Sequence, residues 1–155
     1  MQYKDLRDFI AQYADNPDHP LLQDFFVVMR GHAPDPAAFD AFVGQWYESV
    51  VVPEYRLSDA RRTRLADGTY ETRVRVQNIG SASMPVEVAV ARGERFPKAK
   101  AAGKTLYRDA RMSVVLGKGV ARVVTLRSAF EPERVLMDPD VRVLQLNRKV
   151  AEVKL

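Results

Sequence analysis

The spacing of apolar residues changes at about residue 52. Before that point, apolar residues recur every three or four positions between turn signals, which predicts three short amphipathic helices. After it, apolar and polar residues alternate, and turn signals follow at the intervals expected of short antiparallel strands. We therefore predict an α+β chain, with a helical segment over 1–52 and an all-β domain over 53–155.

The helical segment contains recognisable start and stop signals. The turn Asn16-Pro17-Asp18 separates the first two stripes, Pro20 suits the first turn of the second helix, and Gly31 ends it. Asp35 followed by Pro36 is an N-cap before a favoured first helical residue. The three stripes consist of Leu6, Phe9, Ile10 and Tyr13; of Leu21, Leu22, Phe25, Phe26 and Met29; and of Phe39, Phe42, Val43, Trp46 and Tyr47. Three helices of about ten residues are marginal alone, and these stripes exceed what the helices could cover among themselves.

The second part predicts about seven strands. Thr72, Val74 and Val76 alternate with charged residues, so one face of that strand should be solvated. Turns at 66–69 and at Gly117-Lys118-Gly119 predict two hairpins. The predicted strands are 55–65, 70–77, 86–91, 106–116, 120–130, 132–137 and 141–146. Seven strands in about 100 residues are typical of a β-sandwich of immunoglobulin or fibronectin type.

Charge and aromatic residues are unevenly distributed. Residues 1–50 contain three basic and eight acidic residues, whereas 51–155 contain 21 basic and 12 acidic residues. The first part is therefore net negative and the second net positive, and nine of the fourteen aromatic residues lie in the first. We expect the two parts to attract each other, or the basic part to attract an adjacent acidic domain.

Composition excludes several kinds of chemistry and of membrane attachment. The chain has no cysteine, which excludes disulfides, thiolate metal sites and cysteine nucleophiles. No apolar run approaches the roughly 20 residues of a transmembrane helix, and the first residues lack the apolar core of a signal peptide. We expect a soluble domain with no membrane contact of its own, and its cellular location stays open.

Three sequence features could indicate enzymatic chemistry, and each has a plainer interpretation. Gly103-Lys104-Thr105 resembles the end of a phosphate-binding loop, but Lys98 occupies the required glycine position and a strand pattern follows. His19 and His32 flank the second helix without an H-E-x-x-H arrangement, so surface or capping roles are favoured over zinc binding. No G-x-S-x-G turn is present to expose a nucleophilic serine.

Charged clusters could indicate ion or nucleic-acid binding. Asp138-Pro139-Asp140 could supply a calcium ligand pair, but without an acidic cluster around it a turn between two strands is favoured. Clustered arginines could follow a phosphate backbone; these are Arg61, Arg62 and Arg64, then Arg73 and Arg75, then Arg108 and Arg111. Acidic residues alternate with them, namely Asp59, Asp67, Glu71, Glu87 and Asp109. That pattern is typical of a solvated sheet face, and we expect no nucleic-acid binding.

Four segments follow one another in a particular order. They are 39–46 (FDAFVGQW), then 52–57 (VPEYRL), then 76–80 (VQNIG) leading to 84–88 (MPVEV), and finally 135–140 (VLMDPD). This order resembles the C-terminal end of zinc metallopeptidases of the aminopeptidase N type, the gluzincins, above all bacterial members that include fusions to ABC-transporter permease segments. The resemblance implies that a helical catalytic domain passes directly into an immunoglobulin-like sandwich.

The departure from that family defines the expected function. The family's H-E-x-x-H zinc helix does not occur in these 155 residues, so the resemblance implies no catalytic, cofactor-binding or metal-binding residue here, and zinc only in the parent protein. Residues 1–52 would be the end of the catalytic domain, which would be the partner of the sandwich. We expect the helical segment to self-associate or to be loosely ordered without that partner. The competing hypothesis is a free-standing β-sandwich module that binds a protein through its loops or helical aromatics.

Overall fold

The computed structural model describes residues 3–14, 19–96 and 106–155. The chain forms two compact units, residues 1–50 and residues 51–155. The first contains helices α1 (Tyr3–Tyr13), α2 (Leu22–Gly31) and α3 (Pro36–Trp46). The second consists of strands, with one 3-10 turn at Arg148–Ala151. Helices followed by an all-β domain confirm the predicted fold class.

The helices begin and end largely where their local signals predict. The Asp35 carboxylate accepts hydrogen bonds from the backbone amides of Ala37 and Ala38, both at 3.0 Å, and Pro36 is the first residue of α3. Gly31 is the last residue of α2. Pro20 lies before the N-cap residue Leu21, outside the helix, so its predicted place in the first turn is wrong.

The β unit is a sandwich of two antiparallel sheets. In the described residues its strands are β1 (Tyr55–Arg64), β2 (Tyr70–Asn78), β3 (Pro85–Arg92), β4 (Arg108–Val115), β5 (Ala121–Ser128), β6 (Arg134–Met137) and β7 (Glu152–Lys154). The sheet orders are β1-β2-β5 and β4-β3-β6-β7. The three-stranded sheet packs against the four-stranded sheet, and β4 pairs with β3 in the latter. This strand order is that of an immunoglobulin-like sandwich of the fibronectin type.

The core lies between the two sheets and follows the alternation of the strands. Thr72, Val74 and Val76 of β2 are fully buried, whereas Arg73 and Arg75 between them are exposed. Each fully buried valine or leucine contributes about 1.5–3 kcal/mol relative to an exposed one. The largest fully buried apolar side chains are Tyr55, Leu116, Val74, Val76, Val88, Val90 and Val135.

The predicted hairpin at Gly117-Lys118-Gly119 is wrong. Strand β4 pairs with β3, and β5 pairs with β2, so this turn carries the chain from one sheet to the other. Asn78 holds the crossing in place: its backbone exchanges hydrogen bonds of 3.0 Å with Gly119 and Val120, and its side-chain amide donates to the Leu116 carbonyl at 2.8 Å. These bonds replace those that a hairpin would make.

The predicted last strand, 141–146, is also wrong. This segment is irregular, and the last strand is β7, after the 3-10 turn. Three of its backbone amides are bound by carboxylates instead of a neighbouring strand: those of Arg142 and Val143 donate to Asp138, and that of Leu146 donates to Glu54. Apolar and polar residues alternate here as in a strand, but carboxylates accept the hydrogen bonds of backbone amides that would otherwise pair with a neighbouring strand.

Candidate functional site

Two of the segments that carry the family resemblance, 52–57 and 76–80, meet at the start of the sandwich. The amides of Ile79 and Gly80 donate to the Glu54 carbonyl at 2.9 and 3.0 Å. The amide of Val52 donates to the Ser81 hydroxyl, and the Ser81 amide donates back to the Val52 carbonyl, both at 2.9 Å. A Cβ atom on Gly80 would lie 2.3 Å from the Val52 carbonyl oxygen, so only glycine fits. These motif residues therefore anchor the first strand.

The Asp138-Pro139-Asp140 segment is a turn whose carboxylates already have protein donors. Asp138 is buried and accepts from the amides of Arg142 and Val143, both at 2.9 Å, and from the Arg148 guanidinium at 2.8 Å. Asp140 accepts from Arg95 and from Arg111 at 2.8 Å, and it forms an ion pair with Arg142 at 3.1 Å. Protein donors thus occupy the oxygens that a calcium ion would need, in keeping with the turn interpretation.

The arginines around Asp140 lower the pKa of its carboxyl group. Hydrogen bonds from Arg111, and then from Arg95, hold the pKa of Asp140 at about 2. The pKa of Arg111 is raised by its hydrogen bond to Asp140 and, second, by its hydrogen bond to Asp109. The cluster is a network of ion pairs that ties the loop after β6 to the outer side of β3 and β4.

Within the described residues, the two histidines belong to no metal-holding group. His19 and His32 are exposed, and His32 is the C-cap residue of α2. Gly103-Lys104-Thr105 lies outside the described residues. Within 3–14, 19–96 and 106–155, no group of three or more histidine, aspartate or glutamate side chains is arranged to hold a metal ion.

The arginine clusters are separated by the fold, and those of the four-stranded sheet are largely neutralised. Arg111 pairs with Asp109 at 2.7 Å and with Glu87 at 3.0 Å. Arg92 pairs with Glu133 at 3.5 Å, and Arg134 approaches Glu152 at 4.0 Å. Of the acidic residues that interrupt the basic sequence, Glu87 and Asp109 both pair with Arg111 of this sheet.

The arginines of the three-stranded sheet are different. Arg56, Arg61, Arg73 and Arg75 lie on its outer side, and we call these four residues the arginine face. Across the described part of the chain, none of the four has a carboxylate within 4.0 Å. Arg62, in contrast, pairs with Glu131 at 2.7 Å and donates to the Pro132 carbonyl. The alternation of the strands separates Arg61 and Arg62, which neighbour each other in sequence.

The helical unit exposes much of its apolar surface. Among the described residues of its helices, Met29 alone is buried. Val27 and Phe42 are 72% and 58% exposed, and Trp46 is also exposed. The aromatic stripes do meet in part, since the rings of Phe9 and Phe25 lie 5.2 Å apart.

A shallow groove separates α2 from α3 on the helical unit. Its apolar lining consists of Phe26, Val27, Phe39 and Val43, and it encloses about 300 Å³. At its rim, the guanidinium of Arg30 and the carboxylate of Asp40 form an ion pair at 2.8 Å. An apolar floor with a charged rim is the usual arrangement of a protein interaction surface.

Comparisons with known proteins add a structural likeness. No family model matches the chain, and no curated protein matches it. The CARDB domain of a Pyrococcus furiosus protein, crystallised in complex with di-metal ions, is similar in structure, with a TM-score of 0.45 and 18% sequence identity. The likeness covers 69% of this chain and 93% of that domain. At this level it says nothing about function, and the β-sandwich class rests on the strand pairing above.

A helix needs about 20 predominantly apolar residues to span a bilayer. In the part of the chain that the structure describes, no helix is long and apolar enough to cross a membrane.

Proposed function

We propose that this chain is a non-catalytic protein-binding module, in which the helical unit binds a protein partner. The observation that carries the proposal is the exposed apolar surface of the helices, described above for Val27 and Phe42. Exposed apolar surface that is contiguous and rimmed by charge is characteristic of interaction sites.

The groove between α2 and α3 indicates how the partner binds. Apolar side chains of the partner would enter between Phe26 and Phe39, while the Arg30–Asp40 pair would remain at the solvated rim. Each partner side chain of leucine or phenylalanine size that becomes fully buried contributes about 1.5–3 kcal/mol. A few such anchors are sufficient for a specific complex.

Site-specific photocrosslinking in cells tests this proposal. A photoreactive amino acid is placed at Val27 or Phe42, and in a matched control at Ala37, which is exposed on α3 about 140° around the helix from Phe42. We expect a discrete adduct from the first two positions and none from the third, and its mass distinguishes a second copy from another protein. Absence of adducts at Val27 and Phe42, or the same adducts at Ala37, would contradict the proposal.

A second and more specific candidate is the C-terminal region of an aminopeptidase-like zinc metallopeptidase. The observation that favours it is the placement of the resembling segments: 39–46 lies in α3, and 52–57 meets 76–80 at the anchored start of β1. In this proposal the sandwich braces a catalytic domain, the helical groove binds that domain, and zinc belongs to the parent protein alone.

Two measurements test the second candidate. The reading frame upstream of the Met1 codon should encode an H-E-x-x-H helix, whereas a stop codon and a ribosome-binding signal there favour a free-standing module. The purified chain should not hydrolyse peptides when zinc is added. Zinc-dependent peptide turnover by this chain would overturn both candidates.

A further inference from the structure

The outer side of the three-stranded sheet brings like charges together. Arg61 in β1 lies directly opposite Arg73 in β2, and Arg75 is the next outward residue of β2. Like charges directly opposite each other on antiparallel strands destabilise a sheet. Arg56 extends the same positive surface along β1. The nearest carboxylate in the β1 sequence does not neutralise this surface. Asp59, in the bulge of β1, accepts from the Ser58 hydroxyl at 3.1 Å and forms no ion pair with the described residues.

Elsewhere on the sandwich, the chain supplies carboxylates to several of its arginines. Arg95, Arg111 and Arg142 share Asp140, and Arg148 pairs with Asp138. Within the three-stranded sheet, Arg127 of β5 also lies opposite a carboxylate, that of Glu71 in β2. The arginine face therefore lacks the internal counter-charges that Arg95, Arg111, Arg142 and Arg148 have.

The composition of this face indicates the kind of anion. In the described sheet its cations are arginines and none is a lysine, and arginine is enriched and lysine depleted in protein interfaces. Guanidinium groups bind carboxylates in a bidentate manner. The neutral outward neighbours are Ser58, Gln77, Val123 and Thr125, with no aromatic ring on which a nucleic-acid base could stack.

We propose that the arginine face docks onto an acidic surface of a protein partner. Outward residues of one strand are about 6.8 Å apart and opposite residues about 5 Å apart. The complementary partner therefore presents aspartate or glutamate side chains at similar intervals, with each carboxylate facing one of Arg56, Arg61, Arg73 or Arg75. This surface lies in the β unit and uses charge, so it goes beyond the apolar binding proposed for the helical unit.

Fluorescence anisotropy with the full chain tests the proposal. The probes are a fluorescein-labelled oligoglutamate peptide and a fluorescein-labelled DNA duplex of equal net charge, both at the same salt concentration. The test variant carries Arg61→Gln and Arg73→Gln, which remove the charge and also the repulsion. The matched control carries Arg108→Gln and Lys149→Gln, which change the net charge equally at exposed positions outside the arginine face.

We expect the test variant to weaken oligoglutamate binding by about tenfold and the control to change it by less than about twofold. Duplex DNA should bind more weakly than oligoglutamate to the wild-type chain. Tighter binding of the duplex would overturn the proposal in favour of nucleic acid. An equal loss in the control variant, or no loss in the test variant, would overturn it altogether. None of these outcomes bears on the crosslinking at Val27 and Phe42.

Discussion

The buried carboxylate of Asp138 lies 2.8 Å from the guanidinium of Arg148, ten residues further along the chain. Arg148 also donates to the Val143 carbonyl, and Asp138 accepts from the Val143 amide. Asp138 adopts a φ of 51°, in the left-handed region. These contacts determine the course of the irregular segment between β6 and β7, and Val143 is thereby held in the core.

Substitution Asp138→Asn should destabilise the sandwich by about 2–4 kcal/mol. Asparagine tolerates the left-handed backbone, but its NH₂ group would face a backbone amide donor, and Arg148 would lose its counter-charge. Urea unfolding followed by fluorescence measures the change. Glu152→Ala, which removes a distant exposed partner of Arg134, should change stability by less than about 1 kcal/mol. Equal effects of the two substitutions would contradict the role assigned to Asp138.

Substitution Gly80→Ala should destabilise the sandwich by about 3 kcal/mol or more. The new Cβ would meet two backbone atoms, the Val52 oxygen at 2.3 Å and the Glu54 nitrogen at 2.5 Å, which cannot move independently of the anchored start of β1. Gly117→Ala is the matched control, because its nearest contact would be an ordinary 3.6 Å to the Val120 side chain. Thermal melting of both variants decides the matter; an unchanged melting temperature for Gly80→Ala would refute the close approach.

The ion pairs of Asp140 predict a pH dependence at the acidic end. Its pKa is lowered from 3.8 to about 2 in the folded chain, chiefly by hydrogen bonds from Arg111 and then from Arg95. A lowered folded pKa adds stability that is complete above the unfolded value and is lost as the pH falls towards the folded one. The stability difference between wild type and Asp140→Asn should therefore be constant at neutral pH and shrink between about pH 4 and pH 2.

Urea unfolding of both proteins across this pH range measures that difference. In an Arg111→Gln background the effect of Asp140→Asn should be much smaller, because the main hydrogen-bond donor is gone. A difference that stays constant down to pH 2 would exclude the assigned ion pairs.

The pairing of Arg61 with Arg73 predicts a substitution that increases stability. Arg73→Glu places a carboxylate opposite Arg61 and should stabilise the sandwich by about 0.2–1 kcal/mol. Arg127→Glu is the mirror control: it places like charges opposite Glu71 and should destabilise by a similar amount. Both effects should diminish at high salt, because exposed charges are screened. Destabilisation by Arg73→Glu at low salt would show that the repulsion is relieved in another way.

Local signals were sufficient for much of the fold. Asp35 and Pro36 predicted the start of α3, and the Asp67-Gly68 turn predicted the first hairpin, where Gly68 adopts a φ of 81°. The two-residue alternation of β2 correctly separated buried Thr72 and Val76 from exposed arginines. These features depend on neighbours within a few residues, so the sequence contains all the information needed.

Other features depended on residues far apart in the chain. A turn such as Gly117–Gly119 does not specify whether the next strand joins the same sheet, and here Asn78 held the turn between the sheets. The alternation of 141–146 fits a strand equally well, but the carboxylate of Glu54, 92 residues before Leu146, binds its backbone amide.

The sequence by itself determined the three helices, the first six strands, the buried side of β2, and the opposite net charges of the two units. Only the tertiary structure decided which arginines are neutralised. Acidic residues accompany the arginines throughout the sequence, yet Glu87, Asp109 and Asp140 gather around Arg111 on one sheet, while Arg61 and Arg73 face each other on the other. Because electrostatic interactions depend on distance in space, strand pairing creates the arginine face from arginines that are interspersed with acidic residues in the sequence.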